Sequence, residues 1–222
     1  DVEPTDRDVI LANLSSSQSD SIRWELSADG GANWDGVGAL GDWQSLTHPG
    51  AALLWRSNHV YSHLGMNPAC SSLAIEWRYD CPVVASIEDV PGDQGGQVRL
   101  SWVRSGHDCP TSDTPIEEYA VFRRIDGSRQ PIAKSRSTSI AADRLRYPPG
   151  DWDFVTTVPA YAEDEYSVVV PTLADSTITG GMHYTVFFVR AATSSPAVYY
   201  DAPPDSGYSV DNLAPAVPAS RR

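Results

Sequence analysis

Hydrophobic and polar residues alternate with a period of two along many short segments of this chain, as they do in β-strands that bury one face. The clearest segments are Ser21–Ser27, Ser72–Tyr79 and Ser86–Ser105. In the last of these, Val98, Leu100 and Trp102 point to one side of a strand and polar residues point to the other. We expect these three side chains to form a core face that later strands must match. The pattern predicts an all-β protein of antiparallel strands.

Turn-forming residues separate the alternating segments. Asp29–Gly31 and Pro91–Gly96 favour tight reversals, because glycine tolerates positive φ and proline fixes φ in advance. Near the start, Val9–Leu11 predicts a short strand, and the serine-rich segment Ser15–Ser19 predicts a turn after it.

The order of these elements predicts two tandem antiparallel β-sandwich domains. Residues 1–80 form a small β-sandwich, residues 84–214 form a second and larger one, and residues 215–222 form a proline- and alanine-rich linker or tail. The boundary is placed at Tyr79–Val83, where Pro82 restricts the backbone. Within the second domain, Asp126–Gly150 is the least strand-like segment, and we interpret it as an insertion.

The chain is strongly acidic. Its 222 residues include 16 lysine and arginine residues against 29 aspartate and glutamate residues, for a formal net charge of -13. This balance argues against nucleic acid or an anionic membrane as a partner, because phosphate binding needs basic side chains. No apolar run approaches the roughly 20 residues that span a bilayer, so we expect no transmembrane segment. No leader opens the sequence, so any signal peptide has been removed or lies outside it.

Motifs for catalysis, metals and cofactors are absent from the sequence. No G-x-S-x-G elbow, Walker loop or H-E-x-x-H motif occurs, so we expect neither an enzyme nor a bound cofactor. His59 and His63 stand four residues apart, but they lack the glutamate of a zinc motif and are interpreted as loop histidines. The acidic run Glu163–Glu165 and the turn residues Asp89 and Asp93 lack a calcium-loop pattern, so we predict no metal site.

Residues 84–214 resemble a fibronectin type III domain with an insertion. The residues that carry the resemblance are Trp102 on the second strand, followed by Ile116, Tyr119, Val121, Arg123, Leu173, Phe187, Val189 and Ala191. The family usually has a tyrosine two positions before Phe187, where this chain has Thr185 preceded by Tyr184. The resemblance implies a β-sandwich. Together with the small domain before it, the pair also resembles modules of large secreted bacterial surface proteins.

The fibronectin-type topology also bears on the three cysteines. It returns the loop Gly106–Thr114 to the neighbourhood of Cys81, and so implies a Cys81–Cys109 disulfide and an oxidising compartment. The competing pair is Cys70–Cys81. Those two residues flank a strand whose length exceeds a disulfide reach of about 7 Å, so this pairing would require a bent path.

A second resemblance is local. Ser27, Asp29, Gly31, Asn33 and Trp34 resemble the Asp-box of sialidases and other β-propellers, with Asn33 in place of the usual threonine. In this motif the aspartate caps backbone N–H groups while the tryptophan packs beneath the turn. A propeller needs several such repeats at regular spacing, and the chain has one. We therefore interpret Ser27, Asp29, Gly31 and Trp34 as a structural turn.

These features predict a non-catalytic structural or interaction module of an exported surface or extracellular assembly. The resemblance implies protein partners, including self-association, and a secreted, periplasmic or cell-surface location in bacteria. The alternative is a carbohydrate-binding accessory module of a secreted hydrolase, which would need coplanar exposed aromatic rings to bind a glycan. The candidates for such a site are Trp34, Trp43 and Trp55, for which core positions are the competing interpretation.

Overall fold

The computed structural model describes residues 7–19, 21–60, 68–125 and 147–212. These ranges contain fourteen strands and no helix, which confirms the all-β prediction. These described ranges therefore contain no helix that is long and apolar enough to cross a membrane. The predicted insertion lies largely outside the described residues.

The chain divides into two compact units. The first consists of Asp1–Cys81 together with Ser105–His107, and the second of Pro82–Arg104 together with Asp108–Arg222.

Two three-stranded antiparallel sheets form the first unit. Its strands are β1 (Val9–Ser19), β2 (Ser21–Ser27), β3 (Asp35–Gly36), β4 (Trp43–Gly50), β5 (Leu54–Val60) and β6 (Ala69–Tyr79). The strand orders are β4-β1-β6 and β3-β2-β5. Side chains from both sheets share one core, which includes Val9, Ala12, Leu14, Ile22, Trp24, Leu26, Leu46 and Leu53.

The turn predicted at Ser15–Ser19 is wrong, because these serines form the second half of β1. The 11-residue strand β6 gives them a pairing partner as far as Ser19, which faces Ala69. Ser71 Oγ donates to Ser17 O at 3.1 Å, so side-chain hydroxyls add to the pairing. Tertiary pairing outweighs the low strand propensity of a serine run.

The second unit is built from one three-stranded and one five-stranded antiparallel sheet. Its strands are β7 (Val83–Asp89), β8 (Gln97–Val103), β9 (Ile116–Arg124), β10 (Trp152–Pro159), β11 (Glu165–Pro171), β12 (Thr185–Thr193), β13 (Tyr199–Asp201) and β14 (Asp205–Gly207). One sheet has the order β11-β8-β7. The other has the order β10-β9-β12-β13, with β14 also paired to β12.

The core of the second unit lies where the alternation on β8 predicts it. Val98, Leu100 and Trp102 are all fully buried. The Trp102 ring stacks on Tyr166, with centroids 5.8 Å apart, and meets the edge of Tyr119 at 5.6 Å. Aromatic contacts therefore join the two sheets at the centre of the unit.

The structure corrects the predicted Cys81–Cys109 disulfide, because all three cysteines are unpaired. Burial, reinforced by the charge of Asp80, raises the pKa of the Cys81 thiol to about 12. The Cys109 thiol contacts Thr111 Oγ1 at 3.6 Å. Strand topology alone does not supply the close Cβ approach and dihedral angle that a disulfide requires. The competing Cys70–Cys81 bond is also absent.

Candidate functional site

The outer face of the five-stranded sheet in the second unit carries a cluster of aromatic side chains. Strands β9 and β12 are apolar on both faces. Val121 and Phe187 point into the core between the sheets, whereas Phe122 and Phe188 point to the opposite side. We call this outer surface the aromatic face; its residues are Phe122, Tyr147, Trp152, Phe154, Phe188, Arg190 and Tyr199.

A row of three phenylalanines crosses this face. Strand register places Phe154 opposite Phe122, and Phe122 opposite Phe188. Phe122 and Phe188 are stacked with centroids 4.8 Å apart, and Phe154 meets Phe122 edge-on at 5.8 Å. Cross-strand aromatic pairs of this kind stabilise a sheet beyond the area that they bury.

Two further rings hold the buried end of the row. Trp152 meets Phe188 edge-on at 4.7 Å, and its indole N–H donates to Pro148 O at 2.8 Å. The Tyr147 ring lies 5.3 Å from that of Phe122. The segment before β10 therefore covers part of the sheet, and its rings are fixed in place.

Arg190 occupies the same face next to the phenylalanine row. It pairs with Asp201 across β12 and β13, and its Nε and second terminal nitrogen donate to the two carboxylate oxygens at 2.6 and 2.7 Å. Its guanidinium group lies 3.8 Å from the ring centroid of Tyr199 and 4.8 Å from that of Tyr147. A bidentate partner and two aromatic rings thus hold one cation in a fixed orientation.

Exposure rises along the phenylalanine row. Phe188 is fully buried, Phe122 is 8% exposed and Phe154 is 55% exposed. The row therefore leads from a rigid interior to a large apolar side chain in solvent. Aromatic residues and arginine are enriched at protein–protein hot spots, so this surface has the chemistry of a binding face.

None of the residues of the aromatic face is among the predicted site residues, although the sequence contains a signal for this face. The run Phe187–Ala191 breaks the apolar–polar alternation, since only Arg190 within it is polar. A short apolar run without alternation is typical of a strand that is buried on both faces. Applied to β12, this rule indicates a covered outer surface.

The three predicted glycan-binding tryptophans do not share a surface. Trp55 packs into the first unit's core, 5.6 Å from Trp24. Trp43 pairs with Asn13 and lies on the outer face of the sheet β4-β1-β6. Trp34 lies beside the outer face of the other sheet, where it stacks under Arg56. The three rings therefore form no common platform.

Arginine side chains cover both outer tryptophans. Arg56 lies 4.2 Å from the Trp34 ring centroid, and Arg78 lies 4.5 Å from that of Trp43. The Arg56 Nε donates to Glu25 Oε2 at 2.6 Å, which lowers the pKa of Glu25 and raises that of Arg56. These contacts occupy ring faces that a sugar would need.

The Asp-box-like segment forms a compact turn between β2 and β3. Asp29 Oδ1 accepts hydrogen bonds from Ser27 Oγ at 2.7 Å and from the backbone N–H of Asn33 at 2.9 Å. These hydrogen bonds lower the pKa of Asp29 to about 2, and the one from the backbone N–H of Asn33 has the largest effect. Gly31 has φ of 92°, and its carbonyl accepts from Trp34 Nε1 at 2.9 Å. The hydrogen bonds account for every polar residue that the motif specifies.

A second hydrogen-bond cluster, centred on the single carboxylate of Asp108, lies inside the second unit. The sequence did not indicate it. Asp108 is 3% exposed. Its Oδ2 accepts hydrogen bonds from Tyr119 Oη at 3.0 Å and Tyr166 Oη at 2.7 Å, and its Oδ1 accepts from Ala162 N at 3.0 Å. Arg104 also donates to the Asp108 backbone carbonyl. The cluster ties two loops to the core strands β9 and β11.

The weaker candidates have structural partners. Asp89 accepts from Val210 N at 2.9 Å and from Asn212 Nδ2 at 2.7 Å, and Asp93 accepts from Gly95 N at 2.9 Å. His63 lies outside the described residues. Among the residues that are described, no group of three or more histidine, cysteine, aspartate or glutamate side chains is arranged to hold a metal ion.

Comparison with known proteins adds no family assignment. No protein-family model matches the chain, and no curated protein matches its sequence.

Proposed function

We propose that this chain is a non-catalytic interaction module of an exported assembly, secreted or at a bacterial surface, and that it binds a partner protein through the aromatic face. The observation that carries the proposal is the position of Phe154. This residue is 55% exposed at the open end of a packed aromatic row. A large apolar anchor on a rigid support is typical of a binding hot spot.

The rigidity of the aromatic face favours binding. Phe122 and Phe188 are stacked, and Arg190 is held by Asp201 and Tyr199 before any partner arrives. Side chains that are already ordered lose little conformational entropy on association. Partner contacts at Phe154 therefore translate into affinity more fully than contacts with a flexible loop.

We further propose that the second unit is a fibronectin type III-like domain. Its first, second and fifth strands form one sheet, and its third, fourth and sixth strands lie in the other. This division occurs in the Greek-key sandwiches of the immunoglobulin-like class.

The position usually held by tyrosine provides further support. Thr185 Oγ1 accepts a hydrogen bond from Leu173 N at 3.1 Å and thus ties the start of β12 to the residues that directly follow β11. In related sandwiches a tyrosine hydroxyl makes a comparable link. The threonine hydroxyl can supply the same tie.

The test is photo-crosslinking in the producing cell. We expect a benzoyl-phenylalanine group at position 154 to form a covalent adduct with one protein, because this position faces the partner. The matched control is the same group at Val169, which is 41% exposed on the opposite sheet.

The purified partner should then bind the unmodified chain at least about tenfold more tightly than Phe154→Ser, with equal melting temperatures. Equal adducts at positions 154 and 169, or equal affinities, would refute the proposal. If no adduct forms at position 154 and the chain binds a glycan array in a way that Phe154→Ser abolishes, the carbohydrate alternative would be favoured instead.

A further inference from the structure

Strand β10 lies at an edge of the five-stranded sheet and carries the exposed end of the phenylalanine row. Among the strands that the structure describes, β9 is the one that pairs with β10. The row Phe188, Phe122 and Phe154 follows the register of three adjacent strands, so the next position in the row lies outside the sheet. The open end of the row is therefore also an open strand edge.

The backbone of β10 shows which residues present hydrogen-bonding groups at this edge. Ile125 N donates to Asp151 O at 2.8 Å, so the backbone groups of Asp151 point towards β9. Because successive residues of an antiparallel strand alternate between its two sides, those of Trp152 and Phe154 point away from β9. No backbone hydrogen bond among the described residues reaches these two from the open side.

The other end of β10 gives a consistent result. Ala160 N donates to Glu117 O at 2.9 Å, which places the backbone groups of Ala160 on the β9 side. By the same alternation, those of Pro159 and Thr157 point outwards. The two alternations meet at the register shift that follows Phe154. Proline has no N–H, so the edge that can form a ladder ends before Pro159.

The side chain of Phe154 lies beside this open edge. It is 55% exposed on the aromatic face, and its ring meets that of Phe122 at 5.8 Å. Residues directly opposite each other in an antiparallel pair have their side chains on the same face of the sheet. An incoming strand that bonds to the outward groups of Phe154 would therefore place a side chain against this ring.

We propose that the partner contributes an extended segment, which pairs antiparallel with β10 and places an apolar side chain opposite Phe154. This inference rests on the function proposed for the aromatic face and names the kind of segment that binds there. Main-chain hydrogen bonds would contribute affinity, and the apolar side chains at alternate positions would contribute specificity. The incoming side chain would extend the phenylalanine row by one position.

The geometry of β10 disfavours a second copy as the occupant. A two-fold pairing of Phe154 with Thr157 brings Pro159, which has no N–H, opposite Trp152. Pairing of Phe154 with Trp152 or with its own copy is cut short by the register shift, because the next outward residue is then out of phase. The strand of another protein does not have to match this two-fold pattern.

Strand β11, at an edge of the three-stranded sheet, provides the matched control. It pairs with β8, and its Val169 is 41% exposed. Val169 lies opposite Arg99 rather than opposite an aromatic residue. This edge therefore has an exposed apolar side chain without the phenylalanine row.

The experiment uses a fluorescein-labelled peptide, Thr-Val-Thr-Phe-Thr-Val-Thr, titrated with the full chain and followed by anisotropy. In the proposed pairing the N–H of the peptide phenylalanine points at β10, whereas that of the next threonine points to solvent. Two matched peptides carry one N-methyl group, on this phenylalanine or on this threonine. We expect methylation of the phenylalanine to weaken binding at least about tenfold and methylation of the threonine to have little effect.

The same titration with chain variants locates the edge that binds. Phe154→Ser should weaken binding of the unmethylated peptide at least about tenfold at an unchanged melting temperature, because this side chain is exposed. Val169→Ser should bind the peptide like the unmodified chain.

Equal binding of the two methylated peptides, or no binding of the unmethylated one, would overturn the edge pairing. If position 154 nevertheless forms its adduct and Phe154→Ser weakens binding of the partner protein, the proposed function stands and the paired strand alone is refuted. A concentration-dependent dimer in sedimentation velocity that Phe154→Ser abolishes would assign the edge to a second copy and also overturn this inference.

Discussion

Asp29 in the first unit and Asp108 in the second each organise loops through one carboxylate, but they reach very different distances along the chain. Asp29 bonds to Ser27 and Asn33, which lie within four residues of it. Asp108 bonds to Tyr119, Ala162 and Tyr166, which lie 11, 54 and 58 residues away. The first carboxylate stabilises a turn, whereas the second connects separate parts of a fold.

The surroundings of the two carboxylates differ as much as their reach. Asp29 lies in the turn that follows β2, and its hydrogen bonds depend on the local geometry of that turn. Asp108 is 3% exposed and meets buried hydroxyl groups. A buried donor that loses its acceptor is costly, whereas an exposed one can turn to water. Equivalent substitutions should therefore have unequal effects.

The largest expected effect is that of Asp108→Ala, which removes the shared acceptor of Tyr119, Tyr166 and Ala162. We expect the free energy of unfolding of the second unit to fall by about 3 kcal/mol or more. Urea titration with hydrogen exchange of β9 and β11 peptides measures it.

Asp108→Asn is the matched control, because it retains one acceptor oxygen and should lose less. If Asp108→Ala destabilised its unit no more than Asp29→Ala destabilises the first unit, the comparison would fail.

Tyr166→Phe should have an intermediate effect. The Tyr166 hydroxyl donates to Asp108 and accepts from Tyr161 N at 2.7 Å and Glu163 N at 3.2 Å. We expect a loss of about 1 to 2 kcal/mol, with faster hydrogen exchange at residues 161–163. Tyr119→Phe is the control, and hydrogen exchange at residues 161–163 should be slower in it than in Tyr166→Phe. Faster exchange in Tyr119→Phe would show that Tyr166 does not anchor this loop.

The two clusters also show what the sequence could reveal. The turn at Ser27–Trp34 was predictable, because its partners are close in sequence and each residue type has a local role. The Asp108 cluster was not, since Asp108 stands in an ordinary loop until β9 and β11 bring the two tyrosines to it. The alternation on β8 likewise predicted the core at Trp102, whereas no pattern fixed the geometry of the cysteines.

A smaller effect is expected from the titration of Asp29. The pKa of Asp29 in the folded protein is about 2, below its ordinary value of 3.8. Its contribution is therefore present above about pH 4 and is lost as the pH falls towards 2.

The midpoint of urea unfolding of the first unit, followed through β2 and β5 peptides, should drop over this range. It should drop less in Asp29→Asn, while other carboxylates titrate alike in both proteins. Parallel pH profiles would contradict the assignment.

The smallest predicted effect concerns Ala162, whose φ of 58° lies in the left-handed region. Ala162→Gly relieves this backbone strain but gives the unfolded chain more freedom. We expect a net gain of up to about 1 kcal/mol, seen as a higher urea midpoint. A lower midpoint would show that the loop, unlike the turn at Asp29, draws support from the alanine methyl group.

The Asp175 carboxylate lies so close to Gly95 that position 95 has no room for a side chain. A Cβ atom at position 95 would lie 2.6 Å from both carboxylate oxygens of Asp175, and φ at this residue is +76°. The same carboxylate accepts from Gly96 N, so a side chain at position 95 would break the tie between two loops. In descendants of this protein, we expect the two positions to change together, because a side chain at position 95 would displace the carboxylate that also accepts from Ser209 Oγ.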